Sequence, residues 1–216
     1  SIYQAFADEI HLPYPVVSAK VNNTSQGLKF RLYQNRDVEF FDAREGSGHR
    51  VYVRSLSFLL YKATQDVFPG SKLFIEHSLS RGYYCNLKKG VKNLVSDEDV
   101  AQIKARMQEI VDLDIPFRRT EATTEEAIRV FTERGFQDKV KLLETSGQIY
   151  SDYYTLGDTV DSYYGPLVPS AGYLKVWDLE RYEDGLLLRV PDWNNPLKVA
   201  EKVEQPKTFS MFADKT

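Results

Sequence analysis

The sequence predicts an α+β fold, in which strands and helices mix without the regular strand–helix–strand order of a parallel sheet. Strand-like apolar segments come in neighbouring groups separated by short polar stretches, as at residues 16–41 and 73–87. Two later segments begin with a helix-capping residue followed by acids, at Ser96 and at Thr123. From residue 148 onward the chain is again strand-like and rich in tyrosine. These observations favour sheets packed on a few separate helices.

The first 46 residues predict a small module of their own. Residues 2–10 have apolar side chains at helical spacing, and Pro13 and Pro15 end that pattern. Three short strands are expected next, with a polar turn between the first two, at residues 16–21, 28–32 and 37–41. The polar, glycine-rich stretch 44–48 is the best domain boundary. We therefore expect one domain at residues 1–46.

Residues 47–194 predict a larger domain. A helix over about residues 50–68 is followed by strands at 73–79 and 82–87, and then by the two capped helices. The second capped helix, which opens with a capping box at Thr123, should end at Gly135. A hairpin turn is expected at residues 183–185. The polar residues 195–216 are expected to be a linker.

Composition excludes several classes of protein. The longest apolar run has four residues, whereas a membrane-spanning helix needs about 20, so we expect no membrane partner. A single cysteine among 216 residues is typical of the reducing cytoplasm, where we expect the protein. The formal net charge of −3 argues against a dedicated nucleic-acid-binding surface.

Motif searches identify no catalytic residue, metal site or resident cofactor. No two glycines stand five residues apart, which excludes a phosphate-binding P-loop, and Gly46-Ser47-Gly48 lacks the third glycine of a dinucleotide fingerprint. No C-x-x-C pair occurs, and the three histidines are far apart in sequence. From the residues alone, no enzyme chemistry is predicted.

Two stretches nevertheless resemble the second N-terminal domain of threonyl-tRNA synthetase. They are ERGFQDKVKLL at residues 133–143 and VDSYYGPLVPSAGYL at residues 160–174. They are similar to the family's R-G-x-x-x-K-V-x-L and V-D-x-C-x-G-P-H-V-P elements. Residues 1 to about 45 resemble the preceding ubiquitin-like β-grasp (TGS) module without its first hairpin. The resemblance implies a partial β-grasp module followed by an editing-like α+β domain.

In that family the domain is implied to be an editing site that hydrolyses mischarged serine from tRNA, using an H-x-x-x-H pair and a C-x-x-x-H pair. The first pair corresponds to Arg54 and Phe58, and the second to Tyr163 and Leu167. Arginine stays protonated, and phenylalanine and leucine can neither move a proton nor bind a metal. The resemblance therefore implies a scaffold that has lost its editing chemistry.

The amino-acid sequences of several segments also resemble those of bacterial uridine (nucleoside) kinase-like proteins. These proteins have a degenerate copy of this domain before a P-loop kinase domain. The segments include PYPVVSAKVNN and YVRSLSFLLYKA. This resemblance implies a non-catalytic N-terminal region whose tail leads toward a kinase domain that the sequence does not contain. The parent would then be an ATP- and Mg²⁺-dependent kinase, whereas whether this region is itself an enzyme stays open.

The matching family positions imply a cleft lined by Arg54, Lys139, Asp161 and Tyr163. The two cations could hold an anion, and Tyr163 could stack on a base or ring. The expected ligands are a nucleoside, a nucleotide or an amino acid, and the parent's own kinase domain is an expected partner. The alternative is an inert scaffold, in which Arg54 and Asp161 form a structural ion pair.

Two further alternatives stay open. The domain could be a working aminoacyl-tRNA deacylase, although its four key positions have changed. It could also be an RNA-binding arm, because basic groups such as Arg118-Arg119 and Lys88-Lys89 occur. At a net charge of −3 solvated loop charge is the simpler explanation, so tRNA is not expected as a partner.

Overall fold

The computed structural model describes residues 3–4, 7, 10, 12, 14–31, 38–44, 46–79, 82–90, 94–192 and 196–199. Within these residues the chain is α+β, with antiparallel sheets and four helices, as the sequence predicts. The predicted helix at residues 2–10 and the predicted linker at 195–216 fall largely outside the described residues. The division into domains at residues 1–46 and 47–194 remains a prediction.

The N-terminal sheet has the order β2-β1-β3, from β1 (Val16–Val21), β2 (Thr24–Gln26) and β3 (Val38–Asp42). Asn22 and Asn23 form the two-residue turn between β1 and β2, with φ values of 47° and 66°. This turn is typical of tight hairpins, and it lets β2 begin at Thr24. The predicted strand at 28–32 is therefore wrong over its described residues 28–31, which form a turn closed by the Phe30 amide donating to the Gly27 carbonyl.

Helix α1 (Gly46–Val67) is the central element of the core. It begins earlier than predicted, and Gly48 is required there because a Cβ at that position would lie 1.8 Å from the Asp42 carbonyl oxygen. It contacts α2 (Asp97–Asp112) and the strand β1, and its buried residues belong to the largest apolar cluster of the described residues. Ser96 forms a full capping box at the start of α2, which confirms the predicted helix start.

The second sheet has the order β4-β5-β10-β9 and is antiparallel throughout. Its strands are β4 (Lys72–Leu79), β5 (Gly82–Lys88), β9 (Asp178–Tyr182) and β10 (Gly185–Arg189). The predicted hairpin turn is confirmed, with Glu183 and Asp184 between the paired residues Tyr182 and Gly185. Buried apolar side chains from β5 and β10, including Cys85 and Leu186, belong to the same core cluster as those of α1.

The third sheet consists of β6 (Phe117–Thr120), β7 (Tyr153–Leu156) and β8 (Thr159–Asp161), in that order. Helices α3 (Thr124–Glu133) and α4 (Gln137–Thr145) pack on it, and Phe131 at the centre of this packing is fully buried. The capping box of Thr123 is confirmed. After β8, residues 162–169 form a loop that lies against α1 and β6.

Candidate functional site

The four positions that match the family's histidine and cysteine pairs come together between α1 and the loop 162–169. Phe58 is fully buried, and its ring centroid lies 5.2 Å from that of Tyr163 and 5.7 Å from that of Phe117. Leu167 is 4% exposed and belongs to the same apolar cluster. The space where the resemblance implies catalytic groups is therefore filled by apolar side chains.

Arg54 lies one turn before Phe58 on the same face of α1 and holds the loop. Its guanidinium donates a hydrogen bond to the Tyr164 carbonyl, and its Nε donates to the Arg50 carbonyl at 3.4 Å. Gly165 has a φ of +107°, and a Cβ there would lie 1.8 Å from Arg54 Nη1. Burial lowers the pKa of Arg54 from its ordinary value. Arg54 thus contacts the loop backbone and does not pair with Asp161.

Lys139, Asp161 and Tyr163 lie close together beside the filled centre. Lys139 on α4 makes an ion pair with Asp161 at the end of β8, and its ammonium lies 4.2 Å from the centroid of the Tyr61 ring. Burial lowers the pKa of Lys139, and Asp161 opposes that change. Burial and the nearby charge of the Asp161 carboxylate raise the pKa of Tyr163 well above its ordinary value. Tyr163 is therefore a neutral phenol beside the Asp161 carboxylate.

This arrangement has no evident means of hydrolysing an ester. Tyr163 stays protonated near neutral pH, and the Asp161 carboxylate makes an ion pair with Lys139. The two described histidines, His49 and His77, lie on α1 and β4 and do not line the adjoining groove. Within the described ranges, no three His, Cys, Asp or Glu side chains cluster as metal ligands would.

A large open groove of about 1480 Å³ adjoins the filled centre. Its walls are residues 25–31 of the N-terminal module, strand β6, helix α4 and the loop 162–169. The module and the loop touch closely, because a Cβ on Gly27 would lie 3.4 Å from the Pro166 Cβ. Lys29 donates a hydrogen bond to the Phe117 carbonyl at 2.9 Å across the same boundary. The groove is thus built by both predicted domains.

The groove is positively charged although the chain is not. Five basic and three acidic side chains line it, while the whole chain has a formal net charge of −3. Two of the acids already have partners, because Asp152 pairs with Arg119 and Asp161 pairs with Lys139. The remaining cations define what we call the basic rim, which consists of Lys29, Arg31 and Arg118.

No described carboxylate lies within ion-pairing distance of a basic-rim side chain. Burial lowers the pKa of Lys29, and the nearby positive charge of Arg118 lowers it further, while Asp114 acts in the opposite direction. Asp114 itself accepts a hydrogen bond from the Gly172 amide. Such a concentration of like charge is relieved when an anion binds.

Exposed aromatic side chains lie in the same groove. Tyr164 is 94% exposed and Tyr150 is 71% exposed, whereas the neighbouring Tyr163 packs inward. Ring stacking by Tyr163 stays a prediction, whereas the rings of Tyr164 and Tyr150 are accessible, that of Tyr164 the more so. The sequence indicates one inward and one outward ring in each tyrosine pair, but not which pair lies in a groove.

The structure therefore brings together three of the four predicted site residues, Lys139, Asp161 and Tyr163, while Arg54 on α1 contacts the backbone of the adjoining loop instead. Their binding of a ligand stays a prediction. Sequence reasoning missed Lys29 and Arg31, because nothing local distinguishes them from solvated loop residues. The sequence did indicate Arg118-Arg119 as a basic pair that could bind RNA. The second basic pair, Lys88-Lys89, lies outside the groove, and Lys89 makes an ion pair with Asp99.

Comparison with known proteins agrees with the resemblance in the sequence. A threonine–tRNA ligase of Marinobacter nauticus is 30% identical over 166 residues, 76% of this chain. The ligases of Carboxydothermus hydrogenoformans and Rubrobacter xylanophilus are 30% and 31% identical and match 91% and 84% of it. The chain is similar to a segment of threonine–tRNA ligases. It spans only 26–30% of the length of these ligases, and no family model matches it.

These ligases correct one prediction. Their names give tRNA as what they act on, so the expectation that tRNA is not a partner is wrong. The physical reason lies in the groove, since a net charge summed over the chain does not describe the local excess of positive charge. The similarity to these ligases does not support the hypothesis that the parent protein is a uridine kinase. Of the helices in the described ranges, none has the length and apolarity needed to cross a membrane.

Proposed function

We propose that this chain is a tRNA-binding region related to threonine–tRNA ligases and that it does not deacylate tRNA. The observation that supports binding most directly is the positively charged groove, with a basic rim whose side chains make no ion pair with a described carboxylate. Phosphates of a nucleic acid are the anions that such a rim suits, because Lys and Arg neutralise them and release counterions. The similarity to tRNA ligases selects tRNA among nucleic acids.

The filled centre is the reason why we expect no deacylase activity. Phe58 and Leu167 occupy two of the four positions that the resemblance implies for catalysis, and both are buried in the core. Arg54 remains charged and cannot accept a proton, and the raised pKa of Tyr163 keeps its hydroxyl neutral. Hydrolysis would need a general base free to accept a proton from water, and the Asp161 carboxylate is held in an ion pair with Lys139.

Fluorescence anisotropy with labelled, uncharged tRNA tests the binding proposal. If the three rim cations each neutralise one phosphate, raising the salt from about 50 to about 200 mM should weaken binding by about 20- to 40-fold. Binding that does not change with salt, or no binding at the lower salt, would overturn the proposal. A DNA duplex of similar mass serves as the competitor for nonspecific attraction.

The uridine kinase-like parent is the hypothesis that the sequence resemblance favours, and it remains a prediction that the ligases do not support. It implies ATP and Mg²⁺ as reactants of a separate P-loop domain. A uridine phosphorylation assay on a longer natural protein that contains these 216 residues decides it. Phosphate transfer from ATP to uridine would favour the kinase hypothesis, and its absence would eliminate it.

A further inference from the structure

A nucleic-acid strand could lie along the groove without entering the filled centre. Tyr164 lies on the loop 162–169, and the basic rim lies on the N-terminal module and β6. Phe58 and Leu167 close the space between α1 and the loop. A ligand is therefore confined to the open groove surface, where the accessible groups are rings and cations.

The accessible ring discriminates between two forms of RNA. A side chain that is 94% exposed can stack on the flat face of a base only when that face is free. In an A-form duplex both faces of each internal base are covered by stacking, and proteins contact phosphates and 2′-hydroxyls instead. Tyr164 is therefore of use to a single strand and of little use to a duplex.

Cations at the boundary of the two predicted domains can hold the backbone of the same strand. Lys29 is oriented by its hydrogen bond to the Phe117 carbonyl, and Arg118 extends from the exposed side of β6. The electrostatic effect of Arg118 on Lys29 indicates that the two charges are close. A phosphate between them would relieve this repulsion and bridge the two domains.

We propose that the groove binds a single-stranded stretch of RNA, with a base stacked on Tyr164 and backbone phosphates on Lys29 and Arg118. This inference rests on the proposed function, since it specifies which part of a tRNA the groove takes. It makes the N-terminal module part of the binding site. The strand passes the filled centre without requiring an attached amino acid.

Anisotropy with a mixed-sequence RNA of about 12 nucleotides, single-stranded or as a blunt duplex, tests the stacking contact. The 216-residue chain should bind the single strand at least about tenfold more tightly than the duplex. Tyr164→Ala should remove most of that preference, because base stacking on an aromatic ring changes affinity by about fivefold to 100-fold. Tyr164→Phe keeps the ring and should retain the preference.

The phosphate contacts are tested by Arg118→Gln, because no described hydrogen bond involves the Arg118 side chain. It should weaken single-strand binding and reduce the salt slope by about 1, as should Lys29→Gln. Lys175→Gln, an exposed lysine outside the groove, should leave both unchanged.

The outcomes separate this inference from the proposed function. If tRNA binds but the duplex competes as well as the single strand, or Tyr164→Ala has no effect, the inference is overturned and the proposed function stands. If neither tRNA nor the oligonucleotide binds, both are overturned. If the single strand binds with the predicted preference and the variants act as stated, the inference is supported.

Discussion

Single residues determine how the loop 162–169 lies on α1. Gly165 occupies a backbone conformation that favours glycine, and its Cα hydrogens face the Arg54 guanidinium. Tyr163 and Tyr164, adjacent in sequence, take opposite roles, one packed on Phe58 and one in solvent. A one-residue difference therefore separates the filled centre from the groove surface.

The replacement Gly165→Ala should destabilise the fold by about 2–3 kcal/mol, because it strains a left-handed backbone and displaces the Arg54 guanidinium from the Tyr164 carbonyl. Gly147→Ala is the matched control, since Gly147 has a φ of +70° and nothing within 4 Å of the added Cβ. It should cost only about 1 kcal/mol. Urea unfolding measures both, and equal losses would contradict the packing described for Arg54.

Tyr163 should make stability depend on alkaline pH. Its pKa is raised in the folded state, so above pH 10, the ordinary tyrosine value, the folded chain binds more protons than the unfolded chain. The stabilising contribution is complete below that pH and is lost as the pH rises, with a slope of up to about 1.4 kcal/mol per pH unit.

Urea unfolding at pH 7 to 11 compares the wild type with Tyr163→Phe, which should lose less stability above pH 10. Tyr164→Phe, at a side chain that is 94% exposed, should follow the wild type. Identical pH slopes for all three proteins would show that the pKa of Tyr163 is not raised by folding.

At the scale of elements, α1 anchors the loop by a side-chain hydrogen bond. The Val168 amide donates to Ser55 Oγ at 2.9 Å, and Ser55 in turn donates to the Val51 carbonyl. Ser55 is fully buried, so removing its hydroxyl leaves the Val168 amide without this acceptor. The helix therefore sets the position of the groove wall.

Ser55→Ala should cost about 1–3 kcal/mol because it leaves a buried N–H group unsatisfied. Ser57→Ala, on the same helix, removes only the hydrogen bond to the Val53 carbonyl and should change stability by less than about 0.5 kcal/mol. Chemical denaturation of the two variants measures the difference. Equal effects would mean that Ser55 does not anchor the loop.

Elements with local signals were predictable, and elements defined by tertiary contacts were not. Capping residues at Ser96 and Thr123 predicted the starts of α2 and α3. Strand β6 was not predicted, because its four residues are FRRT and its pairing with β7 lies more than 30 residues away in sequence. Helix α4 was not predicted, because Phe136 at its N-cap position makes no side-chain capping hydrogen bond and is not a typical capping residue.

At the scale of the molecule, the distribution of charge matters more than its sum. The sequence identified three residues that the fold does bring together, Lys139, Asp161 and Tyr163, because a family resemblance placed them. The basic rim could not be found that way, since Lys29 and Arg118 are 89 positions apart and only the packing of the N-terminal module on β6 joins them. The groove is thus a property of the assembled domains.

Incubation of the chain with seryl-tRNA, with binding and serine release measured in the same sample, distinguishes tRNA binding from tRNA editing. We predict that the tRNA binds at low salt, dissociates as salt is raised, and loses serine no faster than in buffer alone. Serine release that increases with protein concentration would contradict the loss of editing chemistry. A tRNA that stays unbound at low salt would contradict the proposed function itself.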